Sequence, residues 1–164
     1  MVVNLSDLFV ADGNLPFAFP LDLSDLDFYG VYPLQTPVKV SGNIQSRAGI
    51  VTLQLKAEYL YSSPCDRCAT PAEREYSLSM ERTLVRELFD LDDERFIQVE
   101  GDELDLGEIA RTEVILSVPG KFLCKPDCKG ICDRCGANLN ETSCDCYKEK
   151  IDPRLAALKD FFNE

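Results

Sequence analysis

The sequence predicts an α+β fold: an antiparallel β-sheet, or a partly open barrel, with one packed helix and a cysteine-rich C-terminal tail. Three observations lead to this prediction. Apolar residues alternate with period two between residues 36 and 80, one capped helical stretch follows residue 105, and six of the eight cysteines lie between residues 124 and 146. We therefore expect a β-rich domain over residues 1–120 and a cysteine-rich tail with a short terminal helix over residues 121–164.

The composition is that of a globular and strongly acidic protein. With 164 residues, of which 45% are hydrophobic, the chain can form one domain with an appendage. Its 17 basic and 29 acidic residues give a net charge of −12, which disfavours non-specific binding to nucleic acid. Because no apolar run is long enough for a membrane helix and no signal peptide is recognisable, we expect a cytoplasmic protein. The absence of histidine excludes hydrolases built on Ser-His or Cys-His pairs.

The first 38 residues contain no lysine or arginine. Met1 to Phe9 alternates weakly and indicates the start of a strand, whereas the next segment is rich in turn residues, aromatics and aspartate. We interpret it as a solvated acidic face wrapped over the core rather than as a dedicated binding site. The aspartates concerned are Asp7, Asp12, Asp22, Asp25 and Asp27.

A β-hairpin is predicted from Thr36 onwards. VKVSGNI alternates with period two, SRAG supplies the turn, and VTLQLKAEYLY continues the alternation for eleven residues. One face of the second strand should therefore be core and the other wet. The expected core residues are Val51, Leu53, Leu55, Ala57, Tyr59 and Tyr61.

The strand after the hairpin should be bent. In REYSLSMERTLVREL, Tyr76, Leu78 and Met80 share one phase, but Thr83 and Val85 fall in the other. This change of parity predicts a bulge or a bend near Glu81. RFIQVE then gives one more short strand.

Residues 90–113 carry ten acidic and two basic residues, a local charge of −8. Asp105 and Glu108 have the spacing of a capping box, which predicts a helix over residues 106–117 that Pro119 and Gly120 end. Nothing in the spacing of the carboxylates creates a cleft or a raised pKa, so a solvated face is favoured over catalysis. We expect no enzymatic activity and no small-molecule substrate.

A second, short amphipathic helix is predicted at the C-terminus. DPRLAALKDFF offers Asp152 as N-cap and Pro153 at the first helical position, with Leu155, Leu158 and Phe162 on one stripe. Such a short helix is marginal in isolation, so it should dock on the domain or on a partner.

Four interpretations of the cysteines compete. Disulfides need an oxidising compartment, for which the N-terminus gives no signal. A redox role for Cys65-Asp-Arg-Cys68 needs a following helix, which Pro71 disfavours. The spacing of Cys128, Cys132 and Cys135 resembles that of radical iron–sulfur enzymes, but Arg134 stands where those enzymes carry an aromatic residue, and the chain is too short for their barrel.

Structural zinc is the favoured interpretation. Gaps of two to four residues let neighbouring thiolates converge on one ion, and C-x2-C pairs are a strong signal of this. Gly130 and Gly136 each follow shortly after a cysteine and suit a sharp turn of the chain there. Eight thiols suffice for two tetrahedral sites, although one or two ions and several pairings remain open at this stage. The expected ligands are Cys65, Cys68, Cys124, Cys128, Cys132, Cys135, Cys144 and Cys146.

Several motifs together resemble a known family. They are an acidic E-x-D-L stretch, a helix ending in LSVP at residues 116–119, the segment CKPDCKGICDRCGANLNETSCDC, and DPRLAALK. The chain is similar to the YceD family, the large-ribosomal-RNA accumulation proteins, in the form with a cysteine-rich tail that is typical of Gram-positive bacteria. The resemblance covers most of the chain. The CDRC motif at residues 65–68 and the tail are its most specific parts.

The resemblance implies a non-enzymatic role in accumulation of large-subunit (23S) ribosomal RNA or in ribosome assembly. The partner would be a pre-ribosomal large subunit, through basic ribosomal proteins, rRNA or both. Some relatives lack the last four cysteines, which implies that the first four form one site and the last four another. A generic zinc-binding interaction module without a ribosomal role is the alternative, and a redox or radical enzyme is a third. The residues expected to contact RNA or a partner are Lys121, Lys125, Lys129 and Arg134, which with Asp127 and Asp133 give residues 121–135 a local charge of +2.

Overall fold

The computed structural model describes residues 1–28, 30–87 and 95–146. The chain divides into two compact units, one formed by residues 1–63 and 73–120 and the other by residues 64–72 and 121–164. The predicted terminal helix at residues 152–162 lies outside the described residues. Among the residues that the structure describes, no helix has the length and apolar character needed to cross a membrane.

The strands form a five-stranded sheet with the order β2-β3-β4-β5-β6 and a two-stranded sheet of β1 and β7. β2 and β4 each pair antiparallel with β3, whereas β6 pairs parallel with β5. β1 and β7 are antiparallel. Their bounds are β1 Val2–Asn4, β2 Gly13–Leu21, β3 Val38–Arg47, β4 Ile50–Pro64, β5 Pro71–Val85, β6 Phe96–Gln98 and β7 Glu103–Asp105.

The larger sheet is therefore mixed and not closed, and the prediction of a purely antiparallel sheet was wrong at its β6 edge. Thr83, Leu84 and Val85 lie opposite Phe96, Ile97 and Gln98 in parallel register. A parallel neighbour needs a connection long enough to return to the same end of the sheet. Ten residues separate Val85 from Phe96 in the sequence.

The hairpin of β3 and β4 has the predicted turn and the predicted core face. Ala48 and Gly49 both have positive φ, 53° and 80°, as the tight turns that match the twist of a hairpin require. The Asp12 carboxylate accepts a hydrogen bond of 2.9 Å from the Ala48 N–H. All six apolar residues predicted for the core face of β4 are buried: Val51, Leu53, Leu55, Ala57, Tyr59 and Tyr61.

Strand β2 was missed by the sequence analysis, which took the segment as part of an irregular acidic cover. Leu15, Phe17, Phe19 and Leu21 alternate with exposed residues, and Phe17 is buried. Pro16 and Pro20 obscured this pattern because proline cannot donate to a ladder. The strand tolerates both prolines because it is the edge of its sheet.

The change of parity predicted near Glu81 in β5 was wrong. Met80 and Leu84 are buried on the same phase, so the strand keeps its parity to its end. Arg82 occupies that phase between them and lies 3.8 Å from the Glu113 carboxylate of the helix. A long side chain can cover apolar surface while its charged end reaches a partner, and this made the core phase look interrupted.

The single described helix, α1 Leu106–Ser117, has the predicted bounds. Asp105 is its N-cap, and its carboxylate accepts the Gly107 N–H at 2.8 Å. Ala110 and Val114 are buried, whereas Leu116 is 75% exposed. The Ser117 hydroxyl lies 2.8 Å from the Tyr59 hydroxyl, which joins the end of α1 to the buried face of β4.

The five N-terminal aspartates are exposed, as expected of a solvated acidic face. Asp22 and Asp27 also hold turns, since their carboxylates accept the N–H groups of Ser24 and Gly30.

Candidate metal centres

The eight cysteines form two groups of four, and each group could hold a metal ion. In each group all four sulfurs lie within 4.8 Å of one another. This partition is the one that the family resemblance implied. The first group is Cys65, Cys68, Cys124 and Cys128, and the second is Cys132, Cys135, Cys144 and Cys146.

The sulfur separations in the first group match those around a single tetrahedral ion. Cys65 and Cys128 are 3.8 Å apart at sulfur, and Cys68 and Cys124 are 3.6 Å apart. Four thiolates at about 2.3 Å from one zinc ion would be separated by about 3.8 Å. A disulfide would need about 2.05 Å, and all eight cysteines are free thiols. The spacing is also too close for a cluster of several irons and sulfides, which holds its ligands farther apart.

The two groups differ in exposure to solvent. Cys65, Cys68 and Cys128 are buried and pack with Leu123 and Cys124. In the second group only Cys132 is buried, and Cys135 is exposed. Solvent and competing ligands therefore reach the second group more easily.

Each group begins with the same tetrapeptide, Cys-Asp-Arg-Cys, folded in the same way. Cys65 accepts a backbone hydrogen bond from Ala69 and donates one to Thr70, at 2.8 and 2.9 Å. Cys132 accepts from Gly136 and donates to Ala137, both at 2.8 Å. The residue after each second cysteine has positive φ, 57° at Ala69 and 71° at Gly136. The two groups thus start from one repeated backbone turn.

The arginine of each tetrapeptide connects the turn to the last cysteine of its own group. Arg67 donates to the Cys128 carbonyl at 2.8 Å, and Arg134 donates to the Cys146 carbonyl at 3.0 Å. Asp66 contributes a further link, because its carboxylate accepts the Phe122 N–H at 2.6 Å while its own N–H donates to the Phe122 carbonyl at 2.9 Å. These bonds connect the two cysteines of each turn to the other two cysteines of the same group.

The turns also lower the pKa of the first cysteine in each group. Burial raises the pKa of Cys65, but the backbone N–H groups of Cys124, Arg67 and Cys68 outweigh it and lower the pKa to about 6. The backbone N–H groups of Cys135 and Arg134 lower the pKa of Cys132 to about 7. A thiolate is the form that binds metal.

The other sulfurs show why a cation suits each group. Burial, together with the neighbouring thiols of Cys68, Cys128 and Cys65, raises the pKa of Cys124 to about 12. The Cys135 thiol, burial and the Cys132 thiol raise the pKa of Cys146 to about 12. Four negative charges this close repel one another, and a divalent ion removes the repulsion. The donor set therefore fits a zinc ion.

Three residues that the sequence analysis missed surround the first group. Asn140 donates its side-chain N–H to the Cys128 sulfur at 3.3 Å, and the Thr70 hydroxyl lies 3.3 Å from the Cys68 sulfur. Asn138 donates to that hydroxyl at 3.4 Å. Spacing alone could not find them, although the unusual run GANLN between two cysteine pairs was a visible signal.

The four basic residues expected to contact RNA or a partner are all exposed. Within the described ranges, Lys121, Lys125 and Lys129 form no ion pair, so their ammonium groups face solvent. Arg134 differs, because its guanidinium bonds to the Cys146 carbonyl. Contact with RNA or protein at these positions stays a prediction.

Known proteins match most of the chain. The model of the family described as large ribosomal RNA subunit accumulation protein YceD matches residues 53–162. A Bacillus subtilis (strain 168) protein, described as uncharacterized protein YlbN, is 28% identical over 130 residues, which cover 76% of this chain and 73% of that protein. No solved structure matches.

Two plant proteins, each called large ribosomal RNA subunit accumulation protein YCED homolog 1, chloroplastic, are also similar. The protein from Zea mays is 30% identical over 169 residues, covering 84% of this chain and 57% of its own length. The protein from Arabidopsis thaliana is 38% identical over 69 residues, covering 42% of this chain and 22% of its own length. The chain thus spans little more than half of the maize protein and a smaller part of the other.

Proposed function

We propose that this chain, which belongs to the YceD family, supports accumulation of large-subunit ribosomal RNA. It would act as a non-enzymatic binding factor in ribosome assembly. The observation that carries the proposal is the extent of the family match. Residues 53–162 include all eight cysteines and the four exposed basic residues, so the matched region contains both candidate metal centres.

The metal in both centres is proposed to be zinc. Four thiolates around one ion are typical of structural zinc, and such a site leaves no open position for a substrate. The sites would stabilise shape rather than perform chemistry, which agrees with a protein that acts by binding. Elemental analysis of protein prepared without chelator should give about two zinc ions per chain. Iron with visible absorption would replace zinc in the proposal, and a folded protein without metal would refute it.

Two surfaces of opposite charge are proposed to make the contacts. Lys121, Lys125 and Lys129 form a basic spot whose ammonium groups can reach RNA phosphates. The exposed N-terminal aspartates can receive lysine-rich segments of ribosomal proteins. Both contacts should weaken as salt rises.

Depletion of the protein in its source organism, followed by complementation, tests the proposal. Depletion should reduce large-subunit RNA relative to small-subunit RNA, and the wild-type gene should restore it. A variant with Lys121→Glu, Lys125→Glu and Lys129→Glu should restore it poorly. The matched control is Lys39→Glu, Arg47→Glu and Lys56→Glu, which makes the same change of charge on exposed positions of β3 and β4. We expect the control to complement.

Each outcome separates parts of the proposal. Normal large-subunit RNA after depletion would remove the ribosomal role and leave a zinc-binding interaction module. A defect that the tail variant rescues as well as wild type does would keep the ribosomal role and discard the basic spot. Equal failure of tail and control variants would indicate a general effect of charge.

A further inference from the structure

The segment between the two cysteine groups folds back on itself. Leu139 donates its N–H to the Gly130 carbonyl at 2.9 Å, and Ile131 and Asn138 form an antiparallel bridge. The Ile131 N–H also donates to the Arg67 carbonyl at 3.1 Å. The loop between Cys135 and Cys144, two ligands of the second group, is thereby brought against the first group.

Asn140, in that loop, makes hydrogen bonds in two directions. Its side-chain oxygen accepts the Lys129 N–H at 2.9 Å, while its amide nitrogen donates to the Cys128 sulfur at 3.3 Å. These partners fix the orientation of the amide. A rotated amide would set two donors against each other at Lys129 and place an oxygen against a thiolate. The N–H donor is therefore held on a ligand of the first group.

Asn138 strengthens the same connection. Its side-chain oxygen accepts from both the backbone and the side chain of Asn140, at 3.0 and 2.9 Å. Its nitrogen donates to Thr70, whose hydroxyl lies beside the Cys68 sulfur. Two sulfurs of the first group thus contact a network that begins in the loop of the second group.

We propose that Asn140 is a positioning residue that couples the two metal centres, so that an ion in the second centre tightens binding in the first. The proposal rests on the proposed binding of metal by both groups. An ion held by Cys135 and Cys144 fixes both ends of the Asn140 loop and removes much of the entropy that ordering the loop would otherwise require. The ordered loop then holds the N–H donor on Cys128, where it stabilises the thiolate. The coupling is reciprocal, because it is a difference in binding free energy.

A double-mutant cycle on metal release tests the coupling. Zinc release from the full chain to a chromogenic chelator should occur in two phases, with the exposed second centre losing its ion first. Cys144→Ser with Cys146→Ser removes the second centre, and Asn140→Ala removes the donor. Each change should accelerate release from the first centre by roughly ten-fold, the usual effect of losing a partner of a metal ligand. Combined, they should accelerate it no more than either alone.

Two further variants separate positioning from folding. Asn140→Asp keeps the size of the side chain and the acceptor for the Lys129 N–H but loses the donor, so it should accelerate release while circular dichroism stays unchanged. Ser143→Ala, at an exposed position of the same loop, should leave release unaltered. With cobalt in place of zinc, the sulfur-to-cobalt absorption of the first centre should shift in the Asn140 variants and not in Ser143→Ala.

The results distinguish this proposal from the one on which it rests. A protein that binds no metal would end the proposal of metal centres. Two ions released independently, with the effects of the Cys144/Cys146 and Asn140 changes multiplying to about a hundred-fold, would leave the metal centres in place and overturn the coupling. First-centre release that neither change alters would overturn it as well.

Discussion

Ala69 and Gly136 occupy equivalent positions in the repeated Cys-Asp-Arg-Cys turns, but only one of them is glycine. Both have positive φ, a conformation that costs a residue with a side chain about 1 kcal/mol or more. Exchanging the residues should therefore have effects of opposite sign. We expect Ala69→Gly to delay chelator-induced loss of metal from the first centre, and Gly136→Ala to advance loss from the second.

The chelator concentration at half-release, measured for each centre, checks this pair of changes. Gly120→Ala, at a glycine without positive φ, provides the control and should alter neither centre. The reasoning from backbone strain would be wrong if both substitutions moved their centres in the same direction.

Arg67 and Arg134 give a second test of the repeat. Each guanidinium donates to the carbonyl of the last cysteine in its own group, a contribution of about 1 kcal/mol. Arg67→Ala should accelerate metal release several-fold from the first centre, and Arg134→Ala should do so from the second. Arg74→Ala, on β5, is the matched loss of charge. Acceleration of the wrong centre by either variant would contradict the equivalence of the two turns.

Among the elements, the N-cap of α1 allows a test by mutation. Asp105→Ala should reduce the free energy of unfolding by about 1 kcal/mol, because the Gly107 N–H loses its acceptor. Asp105→Asn keeps an acceptor and should lose less. Urea unfolding measures both variants, and equal losses would show that the charge matters more than the cap.

The same carboxylate makes the unfolding free energy depend on pH. Hydrogen bonds from the Met1 ammonium and the Gly107 N–H hold the pKa of Asp105 below its ordinary value. The stabilisation is complete above the unfolded pKa of about 3.9 and disappears as pH falls through the lower pKa of the folded state. The difference between wild type and Asp105→Asn should therefore shrink below about pH 4. A difference that stayed constant down to pH 2 would contradict this assignment.

Gly42, in β3, lies where a side chain would meet both neighbouring strands of the larger sheet, β2 and β4. A Cβ there would lie 2.5 Å from the Phe17 ring and still closer to the Gln54 carbonyl oxygen of β4. Gly42→Ala should lower the free energy of unfolding by about 1 to 3 kcal/mol, the range of overpacked cores. Phe17→Leu removes the clash with the ring but not the one with the backbone, so the double variant should not regain wild-type stability. Thermal unfolding of the four proteins would reveal any full rescue.

The elements that could be predicted from the sequence were those with an uninterrupted pattern. The β4 face and α1 follow from strict periodicity and a cap. β2 was hidden by Pro16 and Pro20, whose tolerance depends on an edge position that no local pattern reveals. The parity of β5 was mispredicted because Arg82 lies on its core-facing phase. The charge of Arg82 is balanced by Glu113, which is distant in the sequence. Local patterns predict local structure, whereas edges, parallel pairings and distant ion pairs are decided by the whole sheet.

At the scale of the whole molecule, the two metal centres differ in the length of chain they close. The first joins Cys65 to Cys128, 63 residues apart, whereas the second lies within residues 132–146. Closing the longer loop reduces the conformational entropy of the unfolded chain more, a difference of about 1 kcal/mol in free energy. Cys68→Ser should therefore lower the thermal midpoint more than Cys135→Ser does. If both variants lowered the thermal midpoint equally and unfolded the whole protein, the two centres would not differ in this way.

The cysteines could be identified from the sequence because their spacing is a strong signal, and the family resemblance implied how they divide. The hydrogen-bond network around the cysteines could not be identified in this way. Asn140 is 12 residues from the sulfur it contacts, and only the folded loop brings the two together. The charge count also treated Arg134 like the neighbouring lysines, although its guanidinium binds a carbonyl of its own centre.

The long loop closed by the first centre also has a consequence for the order of synthesis. Cys65 and Cys68 leave the ribosome well before Cys124 and Cys128, because 63 residues separate the first of these cysteines from the last. At 5 to 20 residues per second, this gap lasts about 3 to 13 s. During that time the two thiols form an incomplete ligand set. The first group can therefore bring all four sulfurs to one ion only after Cys128 has left the ribosome.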